Sequence, residues 1–161
     1  MNFEICDLPA HELVSRLKRG EFSAENALES TLRRITQVEG RSGSLDPGSP
    51  GPLDAQRVHA YITVTEDRAR RQARAVDEAL AAGRDPGPLS GVPLAVKDIF
   101  CVADTPSTAG SRILGNFVAP YTATPVARLE QAGAVTIGKA NLDEFTYGSS
   151  NESSAFGPTP R

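Results

Sequence analysis

Tryptophan is absent from the 161 residues, methionine occurs once, and cysteine and histidine twice each. Cys6 and Cys101 lie far apart, with no second sulfur or imidazole at metal-ligand spacing. They form neither a zinc site nor a disulfide framework, and a reducing, cytoplasmic setting is expected. His11 reads as an exposed helix residue. His59 has no ligand partner at useful spacing and reads as structural. Long apolar runs are also missing. No stretch approaches the length that spans a bilayer, and the N-terminus lacks a basic-then-apolar leader pattern, so no membrane attachment is expected. Basic charge is in deficit, with 17 Lys and Arg against 20 Asp and Glu, which argues against this chain gripping a nucleic-acid backbone by itself. The one basic cluster, Arg68, Arg70, Arg71 and Arg74, is interleaved with Glu66, Asp67, Asp77 and Glu78 at helical spacing and reads as a solvated helix face. There is no glycine-rich phosphate loop and no S-x-x-K or G-x-S-x-G nucleophile motif.

What is present reads as an α/β chain. Pro9 opens a short helix with Leu13, Val14 and Leu17 on one stripe and Gly20 closing it. Ser23 caps a second helix, whose buried face is predicted to be Leu28, Leu32, Ile35 and Val38. Together these make a helical hairpin over 1–39. Residues 40–53, GRSGSLDPGSPGPL, lose all periodicity and read as a surface loop before an α/β body at 54–161. In that body, 59–64 is a short strand. Thr65 caps a third helix with a stripe of Ala69, Ala73, Val76 and Leu80, ended by Gly83. Thr124 caps a fourth helix, with Val126 and Leu129 facing the core and Gly133 as its stop. Ala134–Gly138 is a buried strand. A strand, a helix-bearing crossover and a second strand predict a βαβ unit. Cys101 has neither a histidine partner nor a group to lower its pKa and is not promoted as a nucleophile.

Two stretches carry chemistry. GVPLAVKD, Gly91 to Asp98, is a short apolar strand that ends on a lysine and an aspartate, with Pro93 fitting best at its start. Two readings of Lys97 are open from these residues. It is a solvated strand-end lysine, or a partly desolvated amine whose lowered pKa lets it act as a base. The second stretch, KANLDEFTYGSSNESSAFGPTPR, is anchored by Leu142 and Phe145 and then crowds glycine and serine together. Such loops expose backbone N–H groups and admit a ligand close to the main chain.

Taken in order, GVPLAVKD, TAGSRIL and GAVTIGKANLDEFTYGSSNESSAFGP resemble the amidase signature family. HELVSRLKRGEFSAENALESTLRRI is similar to the first two helices of its glutamine-hydrolysing members, so the likeness covers nearly the whole chain except 40–53. The resemblance implies the N-terminal part of an α/β/α fold with a mixed sheet, and a Ser–cis-Ser–Lys triad whose lysine is Lys97. It implies that Tyr147, Gly148, Ser149 and Ser150 form one wall of the substrate cleft. Tyr147 stands where methionine is common, and Ile99 where asparagine often follows VKD. The family's two triad serines belong to a glycine-serine signature that lies beyond the FGP run. Ser149, Ser150, Ser153 and Ser154 do not match them, and the chain resembles an N-terminal fragment with exposed sheet edges and apolar faces. The implied activity of the parent protein is hydrolysis of glutamine to supply ammonia for converting Glu-tRNA(Gln) to Gln-tRNA(Gln). No cofactor is implied in this chain; ATP and Mg are used by a partner. The implied partners are subunits B and C, with the tRNA held mainly by the partner. A stand-alone amidase acting on another amide, and a non-catalytic truncated interaction domain, are the alternatives.

Overall fold

The structure, a computed structural model, describes residues 4–39 and 58–159; the predicted loop at 40–53 lies outside the described residues. The elements run α1 (Ala10–Lys18), α2 (Ala24–Glu39), β1 (Tyr61–Val64), α3 (Glu66–Ala81), β2 (Pro93–Lys97), α4 (Thr124–Gln131) and β3 (Val135–Ala140). The sheet order is β1-β3-β2. β1 runs antiparallel to β3, with Thr63 opposite Lys139 and Val64 opposite Gly138. At the two ends of β2, Val135 N–H donates to Val92 O (2.8 Å) and Asp98 N–H to Ala140 O (3.0 Å). Both chains advance in the same direction between these bonds, so β2 and β3 are parallel. The sheet is therefore mixed, as expected. Pro93 begins β2, where its missing N–H costs no ladder bond.

The described residues gather into two compact units. The first comprises those within 1–34, 65–94 and 127–137, and the second those within 35–64, 95–126 and 138–161.

In the first unit the caps are built largely as the sequence predicts. Ser23 Oγ accepts from Asn26 N–H (3.0 Å), and Asn26 Oδ1 accepts from Ser23 N–H (3.1 Å). This is a reciprocal capping box with Asn in the usual Glu position. Asp77 of α3 accepts from the N–H groups of Ala24 (2.7 Å) and Glu25 (3.1 Å), so three of the donors left open at the start of α2 are satisfied. Ala69, Ala73 and Val76 are buried along α3, and the stripe ends on Ala79, with Leu80 only half-buried. Of the arginine face only Arg68 is drawn out of solvent; Arg70 and Arg74 make their pairs at the surface. Arg68 grips Glu130 of α4 through Nε and Nη2 (2.8–3.1 Å), and Arg74 pairs with Glu25 (2.7 Å) and Arg70 with Glu29 of α2. Glu130 also accepts from Gln72 (2.9 Å) and from the Thr136 hydroxyl (2.7 Å).

That network explains two departures from expectation. Drawing Glu130 inward leaves its neighbour Leu129 exposed, so only Val126 of the predicted pair is buried. Thr65 makes no side-chain cap. Its hydroxyl donates to Thr136 O (3.1 Å) while its N–H donates to Ile137 O (2.9 Å), so it still belongs to the sheet when α3 begins.

In the second unit a similar substitution occurs at the end of α2. Val38 is exposed, and Glu39 takes the inward position. Its carboxylate accepts from His59 N–H (3.0 Å) and Ala60 N–H (2.5 Å) at the entrance to β1. Ile62, Leu142 and Phe156 form a core cluster here. Ile113, Val118 and Tyr121 are exposed.

Candidate active-site pocket

The site lies within the second unit, where β2 ends. Val96 is buried, Lys97 exposed and Asp98 buried, as the two-residue period of a strand requires. Lys97 therefore faces away from Asp98. It lines a pocket of about 180 Å³ with Asn141, Asp143, Gly148, Ser149 and Asn151. The structure thus brings Lys97 together with Gly148 and Ser149. Tyr147 is 94% exposed and does not line this pocket, nor does Ser150. The desolvation expected at Lys97 is not supplied by the described residues, because the strand's alternation turns that side chain outward.

Asp98 goes inward. Its Oδ1 accepts from Lys139 Nζ (2.8 Å), and its Oδ2 from Thr108 N–H (2.8 Å) and the Thr108 hydroxyl (2.6 Å). Lys139 is fully buried, and its ammonium also donates to Ser107 Oγ (2.7 Å) and Pro106 O (3.1 Å). The sequence reading missed this lysine by ending the strand at Gly138. The available signal was an apolar strand that continues onto a lysine, next to a neighbouring strand that ends on an aspartate.

The pocket's other wall is wound around Asp143. This carboxylate is 6% exposed and accepts from the N–H groups of Asn151 (2.7 Å) and Ser153 (3.0 Å) and from the Ser153 hydroxyl (2.8 Å). The backbone N–H of Ser150 is a further donor. These donors, Ser153 first, hold the Asp143 carboxyl below the usual carboxylate range. Gly148 passes so close that a Cβ there would lie 2.5 Å from Asp143 Cγ, so only glycine fits without displacing the carboxylate. Phe145 and Thr146 adopt left-handed backbone conformations (φ 50° and 64°), and Phe145 is exposed instead of anchoring the segment; Leu142 alone does so. Asn141 completes the frame. It donates to His59 O (2.9 Å) and Gly157 O (2.8 Å) and accepts from the Ser154 hydroxyl (2.6 Å). The hydroxyls of Ser153 and Ser154 are thus committed to the scaffold.

The depressed Asp143 pKa has a testable sign. An aspartate favoured as carboxylate in the fold stabilises it fully above the unfolded value of about 3.9, and that contribution is lost as pH falls through the lower folded value. The amide protection factors at Ser150, Asn151 and Ser153, taken against the intrinsic exchange rate at each pH, are therefore expected to stay high at pH 5 and to fall on acidification. Asp143→Asn should show low protection at both. Equal exchange in the two proteins at pH 5 would refute the carboxylate's organising role.

Chemically, the pocket offers a primary amine across from Gly148 and Ser149, on a loop whose Ser150, Asn151 and Ser153 N–H groups are already held by Asp143. No hydroxyl is hydrogen-bonded to Lys97 among the described residues, which also contain no group of three or more His, Cys, Asp or Glu placed to hold a metal ion. No helix among them is long and apolar enough to cross a membrane.

The chain is similar in sequence and fold to known proteins. The chain is 49% identical to the A subunit of the glutamyl-tRNA(Gln) amidotransferase of Geobacter metallireducens over 97% of its own length and 29% of that protein's. It is similar to the peptide amidase of Stenotrophomonas maltophilia, with 33% identity, a TM-score of 0.75 and 96% and 30% of the two chains covered. It is also similar to a chain of the vestigial complex that bears on the origins of an s-triazine catabolic enzyme, with 32% identity, a TM-score of 0.81 and 94% and 30% coverage. The chain thus spans less than a third of the length of the curated relatives it matches. The Amidase family profile matches residues 53–161, which take in both walls of the Lys97 pocket, and the chain belongs to that family.

Proposed function

We propose that this chain forms the lysine-bearing part of an amidotransferase subunit that hydrolyses glutamine and releases ammonia. Lys97 accepts and returns the proton of a serine nucleophile through a bridging serine. Gly148 and Ser149 form a wall against which the amide substrate lies. The observation that carries this reading is the pocket itself: the lysine of the VKD strand end and the glycine-serine loop face one cavity, in a chain that matches such a subunit over nearly all its length. In the working complex, partner subunits B and C take up the ammonia, use ATP with Mg and hold the tRNA in the cytoplasm. The acidic balance of this chain fits that division of labour.

The two serines of the proposed triad do not correspond to Ser149, Ser150, Ser153 or Ser154, so residues 1–161 alone are expected to leave glutamine intact. The assay is ammonia release from glutamine, with a peptide amide as competitor. The full-length protein in complex with its partners should hydrolyse glutamine, and the 161-residue chain should not. Turnover by the isolated chain that vanishes in Lys97→Ala would overturn the division proposed here. A complex that cleaves the peptide amide and ignores glutamine would place the chain with the stand-alone amidases.

A further inference from the structure

The Lys139–Asp98 pair has no part in the proton transfer proposed above, yet both side chains are fully buried and one of them adjoins Lys97. Burying two charges strips both of water before their attraction is counted, so such a pair is weak evidence of stabilisation in itself. What it supplies is direction. The Lys139 ammonium spends its three donors on Asp98 Oδ1, Ser107 Oγ and Pro106 O, and Asp98 spends its second oxygen on Thr108. Every bond points one way, and none has a substitute if the strand turns over.

Two consequences follow for the pocket. In an extended strand, neighbouring side chains face opposite sides, so fixing Asp98 inward fixes Lys97 outward. A slip of one residue would bury Lys97 and expel Asp98. The second consequence reaches the opposite wall. Thr108, held by Asp98, accepts from Gly110 N–H (3.2 Å) and sets a turn in which Ala109 and Gly110 both adopt left-handed conformations (φ 53° and 69°). From that turn, Ala109 O accepts from Phe145 N–H (2.8 Å) and Gly110 O from Ala155 N–H (2.9 Å). These two bonds bracket the segment that carries Gly148 and Ser149. A Cβ on Gly110 would lie 2.7 Å from Leu142 O, so the turn is seated directly on the start of that segment.

We infer that Lys139 is a positioning residue for amide hydrolysis: through Asp98 it sets the direction of Lys97, and through the Ser107–Gly110 turn it holds the Gly148–Ser149 wall opposite. This inference rests on the catalytic reading of Lys97. Lys139 touches neither substrate nor nucleophile; its effect is geometric, and a misplacement of about 1 Å at a reacting centre is enough to cost roughly 10²-fold in rate.

The test uses the full-length protein in complex with its partners and compares Lys139→Met, the double variant Asp98→Asn/Lys139→Met, and Lys97→Ala. For each, the melting temperature and the kcat and KM for glutamine are measured. Lys139→Met leaves an unpaired buried carboxylate, so its melting temperature falls. The double variant removes both charges and recovers most of that loss. A purely structural role would let kcat recover with it. A positioning role keeps kcat down at least about tenfold in the double variant with KM changed little, because no ammonium then bridges the end of β2 to Ser107 and Pro106. Should Lys139→Met fail to fold, the double variant decides alone. Recovery of kcat together with melting temperature overturns the inference, as does a folded Lys139→Met with kcat within twofold of the parent. Lys97→Ala separates the two failures. If it remains active, the catalytic reading falls; if it is inactive while the double variant is fully active, only the positioning role falls.

Discussion

Replacing Lys97 with alanine is expected to lower kcat for glutamine hydrolysis by about 10²–10⁴-fold, the usual contribution of a positioned acid–base group. That corresponds to roughly 3–5 kcal/mol of transition-state stabilisation. Stability should hardly change. The side chain is exposed and makes no hydrogen bond among the described residues, so the cost to the fold is expected to be within about 0.5 kcal/mol. The pairing of a large kinetic effect with an intact denaturation curve distinguishes a chemical role from a structural one. On the proposed function, supplying ammonium chloride in place of glutamine should bypass the lesion and restore product formation, because the step proposed for the partner takes ammonia whatever its source. Glutamine turnover within tenfold of the parent in a folded Lys97→Ala complex would remove Lys97 from the mechanism.

The largest effect on stability is expected at Lys139. Lys139→Met strips a fully buried carboxylate of its cation, and breaking such a pair typically costs about 3–5 kcal/mol. Asp98→Ala should be comparably damaging, since it strands the ammonium and also frees the Thr108 N–H and hydroxyl. Urea denaturation of the single and double variants measures both. The double variant Asp98→Asn/Lys139→Met is expected to lie closer to the parent than either single variant, because it buries no unpaired charge. Single variants with unfolding midpoints equal to the parent's would mean that water reaches the pair and that the site is not sealed as described.

The two lysines mark which placements are local in the sequence and which are not. Lys97 was legible because an apolar run ended on it, and strand periodicity then placed it at the sheet's end. The caps at Ser23, Gly20 and Gly83 were legible for a similar reason, since each is a local signal that acts within a turn. The face a helix buries depends on partners far along the chain. Val38 loses its inward place to Glu39 because two N–H groups at the entrance to β1 need an acceptor. Leu129 is exposed because Arg68, Gln72 and Thr136 together draw in Glu130. Lys139 was missed on the same grounds. A lysine reads as a strand terminator until Asp98, forty-one positions earlier, is known to lie beside it. The role of Asp143 was equally hidden, because its acceptors are filled by the glycine-serine loop that was itself read only as exposed backbone.

Among the described residues β2 pairs only with β3, which leaves it on the sheet's margin, and the residue that ends it is a lysine. A charge on an unpaired strand discourages a second chain from adding itself there, because the newcomer would have to strip water from the ammonium. Among the described residues, Lys97 is therefore a charge carried on an unpaired strand edge. In this 161-residue chain an alanine in its place removes that charge from the strand, whereas Lys97→Arg keeps it there.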